Sequence, residues 1–313
     1  MSPPRLIALD WGTSSLRAYL LGAGAQVLDS RTRNWGIQHT PDRDFARAYQ
    51  LLIGDWLERW PELPALAAGM IGSRQGWLEV PYVSCPADER SLAEGLRVID
   101  TGRGALHLVP GVMQGGARPN VLRGEETQVV GALALDPALR DDALLVLPGT
   151  HSKWASIREG RLVGFDTYLT GELFALLRDH SILGRPALES GAEASPAAFA
   201  WGLRMARDAE HGIADQLFSV RSLVLCGQLA SAHSLDYLSG LLIGEELRGA
   251  LAGSAGSRAL VLLGDPALCQ RYRDALGQFG HAGVRILDNA GVAGLWRVAE
   301  AAGLLTDEAL RRA

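Results

Sequence analysis

The sequence predicts an α/β protein of two domains with related halves, and three observations carry that expectation. Short apolar runs alternate with segments of helical periodicity along the whole chain, the pattern of sheets flanked by helices. Its 313 residues exceed the ~250–300 at which a single hydrophobic core stops growing. A theme of strand, Gly/Thr/Ser turn and strand near the N-terminus returns near the middle of the chain. The boundaries drawn are 1–140 and 141–313, with a ligand cleft between them and the last helix packing back on the first domain.

Each element has a local reason. Arg5–Leu9 (RLIAL), Leu16–Leu21 (LRAYLL) and QVLDS after Gly22 and Gly24 read as a β-meander. Over Asp44–Trp60, Phe45, Ala48, Tyr49, Leu52 and Trp56 recur at helical spacing, and Pro61 and Pro64 stop the helix. LPALAAGMIGS reads as a buried strand, RQGWLEVPYVSCPA as a loop and ALHLVPG as a strand. Gly124–Leu135 is a helix opening on two glutamates, followed by the strand ALLVLPG and the strand and hairpin region HSKWASIREGRLVGFDTYL. Helices then cover ELFALLRDHSIL, FAWGLRMARDA and SLDYLSGLLIGEELRGAL, with a strand at ALVLLG and a closing helix at GVAGLWRVAEAAGLL.

Composition narrows the class. With 48% hydrophobic and 21% charged residues and a mean hydropathy of +0.07, disorder and disulfide-dense scaffolds are excluded. Thirty basic against 35 acidic residues leave a net charge of −5, which argues against a nucleic-acid or anionic-membrane surface as partner. Cys85, Cys226 and Cys269 are too far apart for a metal or redox pair and read as reduced core thiols of a cytoplasmic protein. No run of ~18 apolar residues reads as a membrane span. Of the 30 basic residues only Lys153 is a lysine, so that position is a candidate for a compact ammonium on a flexible stem.

Four constellations carry chemistry. In LDWGTSSLRA, Asp10 ends a strand and is suited to hold Mg²⁺ through water, while Gly12, Thr13 and Ser14 form a hairpin turn that can face a phosphate. The turn leads into a strand and lacks GxxxxGK[ST], so it is not a P-loop. LPGTHSKWASI repeats the arrangement with Gly149, Thr150 and Lys153; His151 reads as a residue that packs or hydrogen-bonds locally. In RGEETQ, Glu125 or Glu126 at a helix start can accept the proton of an attacking hydroxyl, with Glu125 preferred; alternatively both only complement the helix dipole. In AGMIGSRQGW, Ser73, Arg74 and Trp77 offer a hydroxyl, a carboxylate fork and an apolar wall, and Arg74 with Arg123 can hold an acid substrate; the alternative is solvated arginines. Gly171 and Glu172 of LTGEL are weaker signals, as is Gly264, where a strand yields to a helix and a nucleoside can rest.

Taken together, DWGTSSLRA, AGMIGSRQGW, VLRGEETQVVGA, LPGTHSKW, LTGEL and YLSGLLIGEEL closely resemble the bacterial 2-dehydro-3-deoxygalactonokinases, nearly end to end. The resemblance implies the actin/hexokinase/Hsp70-like superfamily: two ribonuclease-H-like domains closing around ATP and Mg²⁺. It implies transfer of the γ-phosphoryl group to the 6-hydroxyl of 2-dehydro-3-deoxy-D-galactonate in galactonate catabolism. It maps the first phosphate hairpin to Asp10, Gly12, Thr13 and Ser14 and the second to Gly149, Thr150 and Lys153. Where the superfamily often has Gly-Asp-Gln, this chain has Gly124-Glu125-Glu126, which leaves the identity of the base open. A kinase for another sugar or sugar acid, or an ATPase switch on the same scaffold, are the alternative readings; a homodimer is a partner state the sequence allows.

Overall fold

A computed structural model describes residues 2–252 and 258–305. In chain order its elements are β1 (Leu6–Trp11), β2 (Leu16–Leu21), β3 (Val27–Arg33), α1 (Phe45–Arg59), β4 (Ala65–Ala68), β5 (Val83–Ser84), α2 (Glu89–Glu94), β6 (Arg97–Asp100), β7 (Ala105–Leu108), β8 (Val112–Gln114), β9 (Asn120–Leu122) and α3 (Glu125–Leu135). They continue as β10 (Asp142–Leu147), β11 (Ser152–Arg158), β12 (Arg161–Tyr168), α4 (Thr170–His180), α5 (Arg185–Ser190), α6 (Pro196–Arg207), α7 (Ile213–Gln216), α8 (Ser219–Leu225), α9 (Ser234–Leu251), β13 (Ala259–Leu263), α10 (Pro266–Gln278), β14 (Arg285–Leu287) and α11 (Ala290–Ala301).

The chain forms two compact units, and they differ from the expected boundaries. Unit 1 takes the chain up to Asp142, residues 156–165 and the segment from Asn289 onward; unit 2 takes Ala143–Ala155 and Asp166–Asp288. The departure from a single cut after residue 140 lies in 156–165, which group with unit 1; the segment from Asn289 onward holds the last helix, whose expected place is on the first domain. The expected elements are present, and the RQGWLEVPYVSCPA loop contains a short strand, β5, in a small sheet with β8 and β9.

The larger sheet of unit 1 runs β3-β2-β1-β4-β7-β6. Its meander β1-β2-β3 is antiparallel, β4 lies parallel to β1 and β7 parallel to β4. The apolar run at β1 lacks alternation because both faces are covered. Ile7, Leu9 and Trp11 share a core with Tyr49, Leu52, Ile53 and Trp56 of α1. Leu6 and Ala8 are fully buried as well, and α11 lies along β1 and β4. Asp44 starts α1 by accepting the Arg47 backbone N–H at 2.9 Å. Helices α3 and α11 meet backbone to backbone: a Cβ on Gly131 would lie 1.7 Å from the Ala290 carbonyl oxygen, and one on Gly294 1.7 Å from that of Thr127.

The second large sheet runs β12-β11-β10-β13-β14, with β13 parallel to β10 and β14 parallel to β13. Three consecutive strands followed by parallel strands added beside the first is the same order as β3-β2-β1-β4-β7. The echo read in the sequence is thus a repeated ribonuclease-H-like sheet. Leu144, Val146, Trp154 and Leu262 from this sheet pack against Phe199, Leu203, Ile243, Leu247, Cys269, Tyr272 and Leu276 from α6, α9 and α10. Of the three cysteines, all free, Cys269 is buried, Cys85 half-buried and Cys226 exposed. The core-thiol expectation therefore fails at Cys226, which follows α8 on the surface. Among the described residues no helix is long and apolar enough to cross a membrane.

Candidate active site

The site in unit 1 is built at the C-terminal ends of β1 and β4. Asp10 sits one residue from the end of β1, where the strand leaves the core, and its side chain is 44% exposed. Across the β1–β2 pair it faces Arg17, whose Nη1 lies 3.5 Å from Oδ2. Loss of surrounding water raises the Asp10 carboxyl above its ordinary range, while the Arg17 charge pulls it down. The hairpin turn closes with Gly12 N–H to Ser15 O at 2.9 Å, and Thr13 and Ser14 are exposed at its tip. A segment the sequence did not single out clamps this tip: the N–H groups of Gly36, Ile37 and Gln38 donate to the carbonyls of Ser14, Gly12 and Thr13 at 3.1, 3.0 and 3.2 Å. A Cβ on Gly36 would lie 2.3 Å from the Thr13 carbonyl, so only glycine permits the clamp.

The same strand ends draw in the glutamates. Gly69 follows β4 with φ +97°, and a Cβ there would lie 2.7 Å from the Trp11 carbonyl oxygen. Gly124, with φ +108°, precedes α3 so closely that its Cβ would stand 3.4 Å from Gly69 Cα. Two glycines thus bring the start of α3 against the strand ends that carry Asp10. Glu125, half-buried, accepts the Arg123 backbone N–H at 2.9 Å. Glu126 is 1% exposed, and its Oε2 accepts the Gly124 N–H at 2.6 Å. Burial, and then the Glu125 charge, push its carboxyl up to about 8.

Beside them lie buried polar atoms without a hydrogen-bond partner among the described residues: Ser73 Oγ, Arg123 Nε and Nη1, and Glu126 Oε1. Arg123 is held in place by Nη2 donating to Val80 O at 2.7 Å and by the Tyr82 ring, 4.3 Å from its guanidinium carbon. Gly72 leaves it room, since a Cβ there would lie 2.9 Å from Nη1. Buried donors are ordinarily paired, so this set is an opening for an acceptor-rich ligand. Arg74 is exposed and has no such setting. Trp77 commits its ring to the core, edge-on to Trp11 and Tyr49 at 6.4 and 5.9 Å.

Unit 2 carries the second hairpin. Gly149 and Thr150 lie at its tip, and the first turn of α4 is fastened to it by Glu172 N–H to Thr150 O at 3.0 Å and by a His151–Glu172 hydrogen bond. Gly171 permits this docking: its Cβ would lie 2.5 Å from the Gly149 carbonyl oxygen. Lys153 does not stand on the exposed tip. It is 5% exposed within β11, with Nζ donating to Thr167 Oγ1 at 2.9 Å. Next to the hairpin opens a pocket of about 580 Å³ lined by Gly149, Thr150, Gly171, Phe174, Leu268 and Tyr272, among others. Gly264, φ +130°, turns the chain from β13 toward α10. The wall itself is formed by Asp265, whose Oδ1 caps α10 by accepting the Leu268 N–H at 2.9 Å.

Several pocket residues escaped sequence reasoning. Asp236 and Ser239 of α9 bind Arg271 of α10 at 2.6 and 3.1 Å, and the Arg271 guanidinium carbon lies 3.9 Å from the Phe199 ring centroid. These residues are 32 to 35 positions apart in the chain, and no short motif links them. Among the described residues no cluster of three or more His, Cys, Asp or Glu forms a metal cage.

A family model described as 2-keto-3-deoxy-galactonokinase matches residues 10–298. The 2-dehydro-3-deoxygalactonokinase of Escherichia coli (strain K12) is 36% identical over 279 residues, covering 88% of this chain and 90% of its own. A Rhizobium meliloti (strain 1021) protein bearing the same enzyme name is 37% identical over 285 residues, covering 90% of this chain and 91% of its own. The crystal structure of a Sinorhizobium meliloti protein given that enzyme name superposes with a TM-score of 0.87 at 36% identity, covering 95% of this chain and 98% of that one. With all six motifs inside the matched span, the chain belongs to the 2-keto-3-deoxy-galactonokinase family.

Proposed function

We propose that this protein transfers the γ-phosphoryl group of ATP to the 6-hydroxyl of 2-dehydro-3-deoxy-D-galactonate, giving the 6-phosphate and ADP in galactonate catabolism. The observation that carries the acceptor side is the convergence at the ends of β1 and β4. One carboxylate at a strand end, a second at a helix start, and buried guanidinium and hydroxyl donors without acceptors meet within unit 1. A sugar acid supplies what such a set lacks, namely a carboxylate for Arg123 and a hydroxyl for a base.

The residues take these roles. Arg123, pre-oriented by Val80 and Tyr82, receives the substrate carboxylate, with Ser73 beside it; Arg74 and Trp77 serve at the margin of the site. Glu125 accepts the proton of the 6-hydroxyl as its oxygen bonds to phosphorus and the bond from phosphorus to the leaving ADP oxygen breaks. Glu126, folded back on its own helix start, keeps the site compact. The Gly12–Ser14 turn and the Gly149–Thr150 turn hold phosphates through backbone N–H groups and hydroxyls. The nucleoside occupies the pocket beside Gly264, and Lys153 braces β11 beneath the second turn.

Mg²⁺ fits the donor set. The Asp10 carboxylate, half-buried at the strand end, is a single hard ligand, and an ion that keeps several waters and takes its remaining ligands from phosphates needs no protein cage. When bound, Mg²⁺ neutralises charge on the transferring phosphate. Free cysteines and ATP as donor suit a cytoplasmic enzyme.

The test is ADP release with Mg-ATP, comparing 2-dehydro-3-deoxy-D-galactonate, its gluconate epimer, neutral hexoses and no acceptor. The expected result is turnover with the galactonate compound and little with neutral hexoses. Equal release without acceptor would mean an ATPase. Replacing Arg123 by Lys is expected to raise KM for the sugar acid at least about tenfold, since one ammonium does not replace a planar fork, while KM for ATP holds.

A further inference from the structure

Glu246 lies on α9 in the stretch GLLIGEEL, beside the more exposed Glu245, and is 2% exposed. The groups that face it are donors from three other elements. Trp154 Nε1 of β11 donates to Oε1 at 2.8 Å, Tyr272 OH of α10 donates to Oε2 at 2.6 Å, and Thr170 Oγ1 at the start of α4 also donates to Oε2. With all three groups donating to it, the carboxyl accepts at both oxygens, and this sets the direction of the bonds beyond it. With its proton committed to Glu246, Tyr272 Oη accepts from Ser152 Oγ at 3.0 Å, and Ser152 Oγ in turn accepts the Gly149 N–H at 3.4 Å. The relay therefore ends on the tip of the second hairpin, and its other arm ends on the first turn of α4, which is fastened to Thr150.

Burial of a carboxylate is unfavourable even when it is well hydrogen-bonded, and apolar side chains of similar size commonly fill such a place. The residues that the carboxylate orders are also those that line the pocket: Gly149, Thr170 and Tyr272 are in its wall. We propose that Glu246 is a positioning residue for the nucleotide: it holds the Gly149–Thr150 turn and the α4 start in the one arrangement that receives the phosphates and nucleoside. It touches no substrate and acts through Ser152, Tyr272 and Thr170. The proposal rests on the reading of unit 2 as the nucleotide-binding half.

The test is equilibrium binding of Mg-ADP to the full chain by calorimetry, without sugar acid, together with KM for each substrate. In E246Q the amide nitrogen either meets the Trp154 N–H, donor against donor, or faces the two hydroxyls and turns them into acceptors, which reverses the direction of the relay. The expected result is Mg-ADP affinity lowered at least about tenfold and KM for ATP raised in step, with KM for the sugar acid changed less than about twofold. A merely structural role would lower thermal stability without separating the two KM values. Folded E246Q with wild-type Mg-ADP affinity overturns the proposal. Should E246Q not fold, T170V and T170S decide: loss of affinity in T170V and its recovery in T170S support the relay, and wild-type affinity in T170V overturns it. Wild-type protein that binds no Mg-ADP would overturn the nucleotide reading itself, a separate outcome.

Discussion

Glu125 and Glu126 are neighbours with the same side chain, and the fold gives them different work. Glu126 turns into the protein and takes the Gly124 N–H, and burial raises its carboxyl to about 8. Glu125 stays half-buried at the helix start. E125Q is therefore expected to lower kcat by about 10²–10⁴ with little change in KM, measured by coupled ADP release. E126Q is expected to act through stability. Between the ordinary glutamate value of 4.5 and about 8, the folded protein holds a proton that the unfolded chain releases, so stability falls as pH rises across that window. Removing the titrating group removes the fall. Urea unfolding at pH 5 and pH 8 should show the wild type losing about 1–4 kcal/mol more than E126Q over the interval. Equal losses would mean that Glu126 ionises at its ordinary pH.

At the scale of elements, helix pairs meet through glycine. Gly131 of α3 and Gly294 of α11 each leave only 1.7 Å to the facing carbonyl oxygen for an added Cβ, so the helices are in backbone contact there. G131A must push them apart and, with them, the Gly124–Glu126 start of α3. A loss of about 3 kcal/mol or more in urea unfolding is expected, accompanied by reduced activity. Gly277 of α10 is the contrast: nothing lies within 4 Å of its added Cβ. G277A should raise stability by about 0.5–1 kcal/mol through helix propensity alone. A similar destabilisation by both substitutions would refute the packing argument. The second hairpin follows the same logic, since Gly171 is what lets α4 dock on the Gly149 carbonyl.

At the scale of the whole molecule, the chain order and the folding units do not coincide. The helix α11, at the far end of the described chain, completes unit 1 by covering α3, β1 and β4. A fragment of residues 1–140 should therefore lack a fixed core, and near-UV circular dichroism and proteolysis should report it as unfolded or loosely packed. A rigid, protease-resistant fragment would show that α11 is dispensable. Strands, helices and both hairpin turns were legible because they rest on local causes: apolar runs, a 3.6-residue period, prolines that stop a helix, and glycines in turns. The family resemblance was legible because six motifs retain their order and spacing. The Gly36 clamp on the first turn, the Arg271 pairs with Asp236 and Ser239 and the Glu246 relay were not, because each joins residues that no sequence period connects. Glu246 did leave a trace, an acidic residue four positions after the buried Leu242 on an apolar helix face. Lys153 shows the converse: its rarity marked the position, but only the fold decided that its ammonium is buried against Thr167. The sequence by itself determined which segments are strands, helices and hairpin turns, since those depend on neighbours along the chain. Only the tertiary structure decided which glutamate is buried, which arginine is left with free donors and what braces the second turn, because burial and pairing depend on residues brought together from distant parts of the chain.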